Sequence, residues 1–259
     1  MIPRSKGFMK NEKIDIRGIY FDNVTTDECE AIIEELLSKG GDTCAVYTPN
    51  AEIAQACVED ADLRKIINSA GLILPDGVGV VKAAKILGTP LRGKVAGVEF
   101  GEKTLEVAAR EGKKVFFLGG KPGVAEEAAK KMREKYTGLD ICGTNDGYFK
   151  KSGKESDAVA SKIDGSGAEV LFVCLGFPAQ EKWIYENKAK LPKVKMCLAL
   201  GGSLDVYAGT VKRAPKIFIK LGLEWLYRLI KEPRRIGRMM KLPKYLFGTY
   251  LYKLKRKKT

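Results

Sequence analysis

Residues 114–124, Lys-Val-Phe-Phe-Leu-Gly-Gly-Lys-Pro-Gly-Val, join a continuous apolar run to a glycine-rich turn, and a helical pattern follows from Val124 to Tyr136. A second continuous apolar run, Val170–Leu175, is followed by a helical pattern at Glu181–Lys190. Runs of this kind are typical of strands whose two faces are both covered. Repeated strand–helix units predict a parallel sheet between two layers of helices.

The same alternation extends outward in both directions and predicts a Rossmann-like α/β fold with a mainly parallel sheet flanked by helices. Further strand-like runs occur at Ile14–Phe21, Thr43–Thr48, Leu72–Leu74 and Val194–Leu200. Thr25 and Glu28 form a capping-box pattern that opens a helix through about Ser38. The other helical patterns lie at Ala51–Asn68, Val78–Leu87, Val98–Glu111 and Glu155–Ile163.

The composition excludes several reaction classes before any motif is considered. The 259 residues include no histidine, which rules out Ser-His-Asp and Cys-His nucleophile pairs, His-ligated zinc and histidine acid–base catalysis. Proton transfer then depends on Asp, Glu, Lys, Tyr or Cys. None of the six cysteines forms a C-x-x-C pair, which favours buried free thiols in a reducing compartment. We therefore expect no metal ion and no cofactor.

Charge divides the chain near residue 210. The last fifty residues contain 16 of the 46 basic side chains and two of the 32 acidic ones, so residues 1–209 hold 30 of each sign. The net charge of +14 therefore lies entirely in the C-terminal part, which we call the tail. The sequence predicts an α/β catalytic domain at 1–210 and a basic amphipathic helical appendage at 211–259.

Polar residues and glycines follow the predicted strands, and ligands of parallel sheets bind beyond the carboxyl ends of the strands. Thr48 and Asn50 follow one strand, and either could hydrogen-bond a sugar or a base, although Asn50 could equally cap its own helix. Gly119 and Gly120 suit a nucleotide diphosphate, with a tight strand-to-helix turn as the alternative interpretation.

Asp76 stands between Pro75 and Gly77 after a short apolar strand. Without histidine, a carboxylate at this edge is the natural general base for a hydroxyl group, although an N-cap of the next helix is the alternative role. The Asp60-x-Asp62 pair, by contrast, falls in a helical region and favours a solvated helix end over a metal–nucleotide site.

Seven strings in this order carry a family resemblance: TPNAEI (48–53), LPDGVGVV (74–81), GTPL…VAG (88–97), FLGG (117–120), GFPAQEKWI (176–184), GGSLDVYAGTVKRAP (201–215) and LGLEWLYRLIKEPRRIGR (221–238). The sequence resembles the WecG/TagA/CpsF family of bacterial glycosyltransferases over about residues 14–240. The resemblance implies inverting transfer from a UDP-sugar donor to a sugar on a polyprenyl-diphosphate acceptor. In the TagA-like branch, N-acetylmannosamine moves to GlcNAc-diphospho-undecaprenol and makes the wall teichoic acid linkage unit. WecG-like and CpsF-like members transfer other sugars in surface polysaccharide synthesis.

The resemblance also implies roles for single residues. Asp76 corresponds to the catalytic base, and Thr48 and Asn50 match the neighbouring T-P-N residues. Gln180 matches the glutamine of the G-x-P-x-Q-E-K-W motif, and Asp205 matches the aspartate of the G-G-x-x-D segment. Lys94 stands where the family usually has arginine; it keeps the charge but lacks the bidentate fork that grips a phosphate.

The tail combines this charge with apolar residues at helical spacing, and Phe218, Leu221, Trp225 and Leu229 form one predicted stripe. A helix interrupted gently at Pro233 would align Arg228, Arg235 and Arg238, which are then expected to bind the UDP diphosphate. Basic helices with aromatic residues favour an anionic membrane surface, so we expect a cytoplasmic protein bound peripherally to the inner face of the membrane.

Three alternatives remain for the chain. The tail could simply pack against its own body, or a basic tail could bind nucleic acid, although that function leaves Asp76 unused. A dinucleotide-dependent oxidoreductase requires a glycine fingerprint after the first strand, where Asp22-Asn23-Val24-Thr25 stands instead. We expect no nucleic-acid partner, and a homo-oligomer is compatible with the sequence.

Overall fold

The computed structural model of the protein describes residues 12–231, 233 and 236–256. Its strands are β1 (Lys13–Ile16), β2 (Ile19–Asp22), β3 (Cys44–Tyr47), β4 (Leu72–Ile73), β5 (Val115–Gly119), β6 (Ile141–Asn145), β7 (Val170–Cys174) and β8 (Met196–Ala199). The helices of the body are α1 (Cys29–Ser38), α2 (Ala51–Glu59), α3 (Ala61–Asn68), α4 (Val78–Leu87), α5 (Gly97–Arg110), α6 (Val124–Lys135), α7 (Gly153–Ser166), α8 (Ala179–Asn187) and α9 (Ser203–Tyr207). The tail contains α10 (Lys216–Lys220), α11 (Glu224–Lys231), α12 (Ile236–Met239) and α13 (Lys241–Arg256).

Six strands form one parallel sheet in the order β4-β3-β8-β7-β5-β6, which confirms the predicted fold class. Both faces of the sheet are covered. Phe116 and Leu118 of β5 join a buried cluster on one face with residues of α2, α3 and α13, whereas Phe117 joins a cluster with residues of α1, α5 and α6. This two-sided burial explains the continuous apolar runs that predicted β5 and β7.

The predicted single strand at Ile14–Phe21 is wrong. Residues 13–22 form an antiparallel hairpin apart from the main sheet, with Ile16 paired to Ile19 across a two-residue turn. Both turn residues, Arg17 and Gly18, have positive φ angles of 57° and 88°, which reverse the chain. The hairpin packs against the helical layer instead of extending the sheet, and Ile16, Ile19 and Phe21 are buried there.

Two other expectations differ from the structure. The helix predicted at Ala51–Asn68 is two helices, because the Asp60 carboxylate accepts hydrogen bonds from the backbone N–H groups of Asp62 and Leu63 and begins α3. That cap is the helix-end role expected for the D-x-D pair. Strand β6 was not predicted, since it is half-exposed and contains Gly143 and polar residues.

The tail is not one continuous helix. The predicted stripe from Phe218 to Leu229 is broken at Gly222, whose φ of +68° ends α10 before α11 begins. Helix α13 lies on α2 and α4, where Tyr245 and Thr249 are fully buried and the ammonium of Lys244 pairs with Glu59 at 2.7 Å. The tail therefore contributes to the core, in line with the alternative of a tail packed on its own body. In the described part of the chain, no helix has both the length and the apolarity to cross a bilayer.

Candidate active site

The sheet order brings most of the predicted site residues to one edge. Strands β4, β3, β8 and β7 are consecutive neighbours, and their carboxyl ends are followed by Asp76, Asn50, Gly201 and Gln180, respectively. Thr48 also lies here, and its hydroxyl donates to the carbonyl oxygen of Ala199 at 3.3 Å. The edge predicted from the sequence is therefore a physical cluster.

Asp76 is half-buried in the turn between β4 and α4. Gly77, and not Asp76, occupies the N-cap position of α4, with φ 79° and ψ 156°. A glycine tolerates this backbone conformation without steric cost. Asp76 therefore stands one residue before the N-cap position, and its role as the general base stays a prediction.

Asn50 does cap its helix. Its Oδ1 accepts hydrogen bonds from the backbone N–H groups of Glu52 at 2.9 Å and Ile53 at 3.1 Å. A methyl group placed on Gly77 would lie 3.9 Å from the Cβ of Asn50, so the two turns adjoin. With Oδ1 committed to the cap, the amide Nδ2 is the group of Asn50 that can donate to a ligand.

Lys94 reaches the same edge through the backbone. The N–H of Val95 donates to the carbonyl oxygen of Pro75 at 2.9 Å, which fixes the segment containing Lys94 beside the Asp76 turn. Helix α5 then starts at Gly97, where an added methyl group would contact the Thr48 hydroxyl at 2.9 Å. Gly97 therefore lets the start of α5 approach β3 closely.

Two helix N-termini give the edge a positive character. The N-cap residues are Gly77 in α4 and Ala96 in α5, and neither has a side chain that can accept a hydrogen bond. The N-terminal N–H groups of a helix, together with the helix dipole, favour an anion. Among the described residues, no group of three or more Cys, Asp or Glu side chains is arranged to hold a metal ion.

Gln180 is buried and connects two loops of the site. Its Oε1 accepts from the N–H of Gly201 at 2.9 Å, and its Nε2 donates to Glu181 Oε1 at 2.9 Å. Glu181 was not singled out from the sequence, yet it is only 2% exposed, and desolvation raises the pKa of its carboxyl to about 7. Gln180 and Glu181 each lie three residues before an apolar residue, Trp183 or Ile184, on the buried face of α8. This helical periodicity is the sequence signal that could have identified both polar residues as buried.

The glycine turn after β5 has a packing explanation. Gly119 has φ 130°, and a methyl group there would approach the carbonyl oxygen of Cys174 to 2.2 Å. Gly120 donates its N–H to the same oxygen at 3.2 Å. The tight-turn interpretation therefore accounts for both residues, and a role in nucleotide binding stays a prediction.

Asp205 lies in the first turn of α9 and is half-buried. Its backbone carbonyl accepts from the Thr210 hydroxyl at 3.0 Å and from the N–H of Val211 at 3.1 Å. These bonds fix the start of the tail, so Asp205 has a clear structural role at the junction, and its substrate-binding role stays a prediction.

The tail crosses the edge that holds Asp76. Arg213 pairs with Glu99 in the first turn of α5 at 2.5 Å. A methyl group on Gly222 would lie 3.2 Å from the Val78 side chain, and one on Gly79 would lie 2.5 Å from Leu242. The first turn of α4 therefore contacts the tail at two points. Arg235 and the side chains of Arg228 and Arg238 lie outside the described residues.

Comparisons with known proteins identify the family of the chain. The sequence model of the WecG/TagA/CpsF glycosyl transferase family matches residues 14–259. A Bacillus subtilis protein named N-acetylglucosaminyldiphosphoundecaprenol N-acetyl-beta-D-mannosaminyltransferase is 39% identical over 214 residues, which cover 83% of this chain and 81% of the relative. A Staphylococcus aureus protein of the same name is 34% identical over 247 residues, 95% of each chain.

Proposed function

The chain belongs to the WecG/TagA/CpsF glycosyltransferase family, and we propose on that premise that it transfers N-acetylmannosamine from UDP-N-acetylmannosamine to GlcNAc-diphospho-undecaprenol. The product is the disaccharide lipid on which wall teichoic acid is built. The names of relatives at 34% and 39% identity support this donor and acceptor over the sugars used by the other branches. The nucleic-acid function has no support among these relatives.

Asp76 is the proposed general base, and the observation that carries this role is its position after β4, at the end of the sheet where Asn50 and Thr48 also lie. Its carboxylate takes the proton from the acceptor hydroxyl, while that oxygen attacks the anomeric carbon of the donor sugar. The bond to UDP breaks on the opposite side, so the anomeric configuration inverts. Asn50 Nδ2 and the Thr48 hydroxyl orient the sugars at this edge, and the buried Gln180 supports them by holding the loop at Gly201.

The departing UDP carries negative charge that must be stabilised. The N-termini of α4 and α5 and the ammonium of Lys94 are the groups of the body that we propose for this role. Arg228, Arg235 and Arg238 complete the proposed diphosphate site from the tail. The contact of Gly222 with Val78, two residues after Asp76, supports this assignment because it brings the basic tail to the reacting edge.

The tail is also the proposed membrane-docking region, on the cytoplasmic face where the lipid acceptor is available. Of the thirteen exposed large apolar side chains among the described residues, ten lie beyond residue 210. Ile217, Leu221 and Phe247 are each more than 60% exposed. Exposed apolar side chains interleaved with cations are typical of helices that lie in a membrane interface. The boundary near residue 210 is therefore a functional boundary, although α13 packs on the body.

The function is tested by incubating the protein with a short-chain GlcNAc-diphospholipid and a panel of UDP-sugars. We expect a disaccharide lipid from UDP-N-acetylmannosamine. A product formed only from another UDP-sugar would move the protein to another branch of the family, and no product with any donor would overturn the proposal.

The role of Asp76 is tested in the same assay with Asp76→Asn, which keeps the size of the side chain and removes its basicity. We expect the rate to fall roughly 10²–10⁴-fold, as is usual when a general base is lost. Asp60→Asn, at the exposed cap of α3, is the matched control and should keep the wild-type rate. Turnover of Asp76→Asn within a few-fold of wild type would contradict the assignment.

A further inference from the structure

Arg17 occupies a backbone conformation that arginine rarely adopts. It is the first residue of the two-residue turn between β1 and β2, and its φ is +57°. Such turns favour Asn, Asp or Gly at this position, because an L-residue with a longer side chain is strained there. Among the described residues, Arg17 is the one non-glycine residue with a positive φ. A strained arginine in place of a favoured turn residue points to a role for its side chain.

The Arg17 guanidinium lies against two aromatic rings of α13. Its central carbon is 5.6 Å from the ring centre of Tyr245 and 6.0 Å from that of Tyr252. Its Nη1 is buried and has no hydrogen-bond partner, and no described carboxylate pairs with the group. A methyl group on Gly248 would approach Nη1 to 2.9 Å. This glycine in the middle of a helix, where glycine is disfavoured, makes room for the cation.

A surface cavity of about 410 Å³ opens beside this guanidinium. Its lining combines two cationic side chains, a tyrosine, a glycine and two leucines, and contains no acidic residue: Arg17, Lys255, Tyr252, Gly248, Leu251 and Leu254. The two leucines are 43% and 41% exposed and continue into the apolar surface formed by Phe247 and Tyr250. The cavity thus offers a cationic end for an anion and an apolar wall that leads out to the surface.

We propose that this cavity binds one anionic phospholipid, with the phosphate at Arg17 and Lys255 and an acyl chain along Leu251 and Leu254. Guanidinium groups bind phosphate oxygens through paired charge-assisted hydrogen bonds. The site is distinct from the Asp76 edge, and it rests on the proposed docking of the tail at a membrane. It gives that docking a specific lipid contact in addition to general attraction between the basic tail and an anionic surface.

The test is a titration of the full-length protein with dihexanoyl-phosphatidylglycerol below its critical micelle concentration, followed by ligand-observed NMR. We expect saturable binding of one lipid per chain. Arg17→Asn, which suits the turn better than arginine, and Gly248→Ala, which displaces the guanidinium, should each weaken binding at least tenfold. Lys130→Gln removes an exposed cation from α6 on the other face of the sheet and should leave binding unchanged.

Three further arms separate the sources of the signal. Equal binding of dihexanoyl-phosphatidylcholine would show that charge selection is absent, and equal binding of inorganic phosphate would show that the lipid chain is irrelevant; either result would overturn the proposal. Wild-type affinity in a folded Arg17→Asn variant would do the same. Sugar transfer to a soluble short-chain acceptor should persist in Arg17→Asn, so a failure of the lipid site is distinguishable from a failure of the proposed transferase function.

Discussion

Glu181 is buried beneath the site, and desolvation raises the pKa of its carboxyl to about 7, above the ordinary value of 4.5. The unfolded chain therefore loses this proton at lower pH than the folded protein does. The stability associated with the neutral carboxyl is fully present below about pH 4.5 and is lost as the pH rises to about 7. The full loss is roughly 3 kcal/mol for a difference of this size.

The Glu181→Gln substitution keeps the hydrogen bond that the side-chain oxygen accepts from Gln180 and removes the titration. We expect Glu181→Gln to be more stable relative to wild type at pH 8 than at pH 4.5, that is, the difference in the free energy of unfolding (variant minus wild type) should increase with pH. Urea denaturation of both proteins at both pH values measures this difference. The pKa of the buried Asp22 is also raised, but its contribution to the pH dependence is the same in both proteins and cancels when they are compared. Glu186→Gln, at an exposed position of the same helix, is the control. Parallel pH trends in Glu181→Gln and wild type would contradict a raised pKa.

At single positions, the sequence predicted location better than role. Asn50 and Asp76 both precede a helix, and both were open to a capping or a catalytic interpretation. The backbone places them differently: Asn50 holds the N-cap position of α2, whereas Gly77 takes the N-cap position of α4 and Asp76 lies one residue before it. One residue of register separates these outcomes, and helix boundaries are the least predictable feature of a sequence.

Helix α13 is the element that joins the tail to the body, and Tyr245 is its buried contact. We expect Tyr245→Ala to lower the free energy of unfolding by about 3–5 kcal/mol, as for other large aromatic truncations in a core. Tyr245→Phe should be neutral or slightly stabilising, because the buried hydroxyl has no hydrogen-bond partner. Chemical denaturation of the full-length variants checks both. An unchanged stability in Tyr245→Ala would mean that α13 does not pack on α2 and α4 in solution.

The elements that the sequence predicted have local signals at their ends, whereas those that it missed have none. Val78–Leu87 was predicted with its bounds, because it lies between Gly77 and Gly88, whose positive φ angles of 79° and 88° are incompatible with an α-helix. The hairpin at residues 13–22 was missed because its turn begins with Arg17, which carries no turn signal. Strand β6 was missed because it forms through its pairing with β5, and its partly polar sequence does not predict a strand.

At the scale of the whole molecule, a neutral body and a basic tail divide the proposed tasks. The body holds Asp76, and the tail holds all of the net charge and, in the part of the chain that the structure describes, ten of the thirteen exposed large apolar side chains. Since α13 contributes Tyr245 and Thr249 to the core, removal of the whole tail would disturb the body as well. Single substitutions are therefore the sharper way to separate membrane binding from catalysis.

Substitution of Arg235, which lies outside the described residues, is expected to affect catalysis much more than membrane binding. One cation among the 16 of the tail contributes about 1 kcal/mol to adsorption, so Arg235→Ala should weaken binding to phosphatidylglycerol vesicles no more than about fivefold. A lost contact to the charge of the departing diphosphate should slow transfer roughly 10²–10³-fold. Lys253→Ala removes an equal charge from α13 and should lower vesicle binding similarly while transfer to a soluble acceptor continues. Wild-type transfer by Arg235→Ala on the soluble acceptor would contradict its diphosphate role, because the tail charge would then act through adsorption alone.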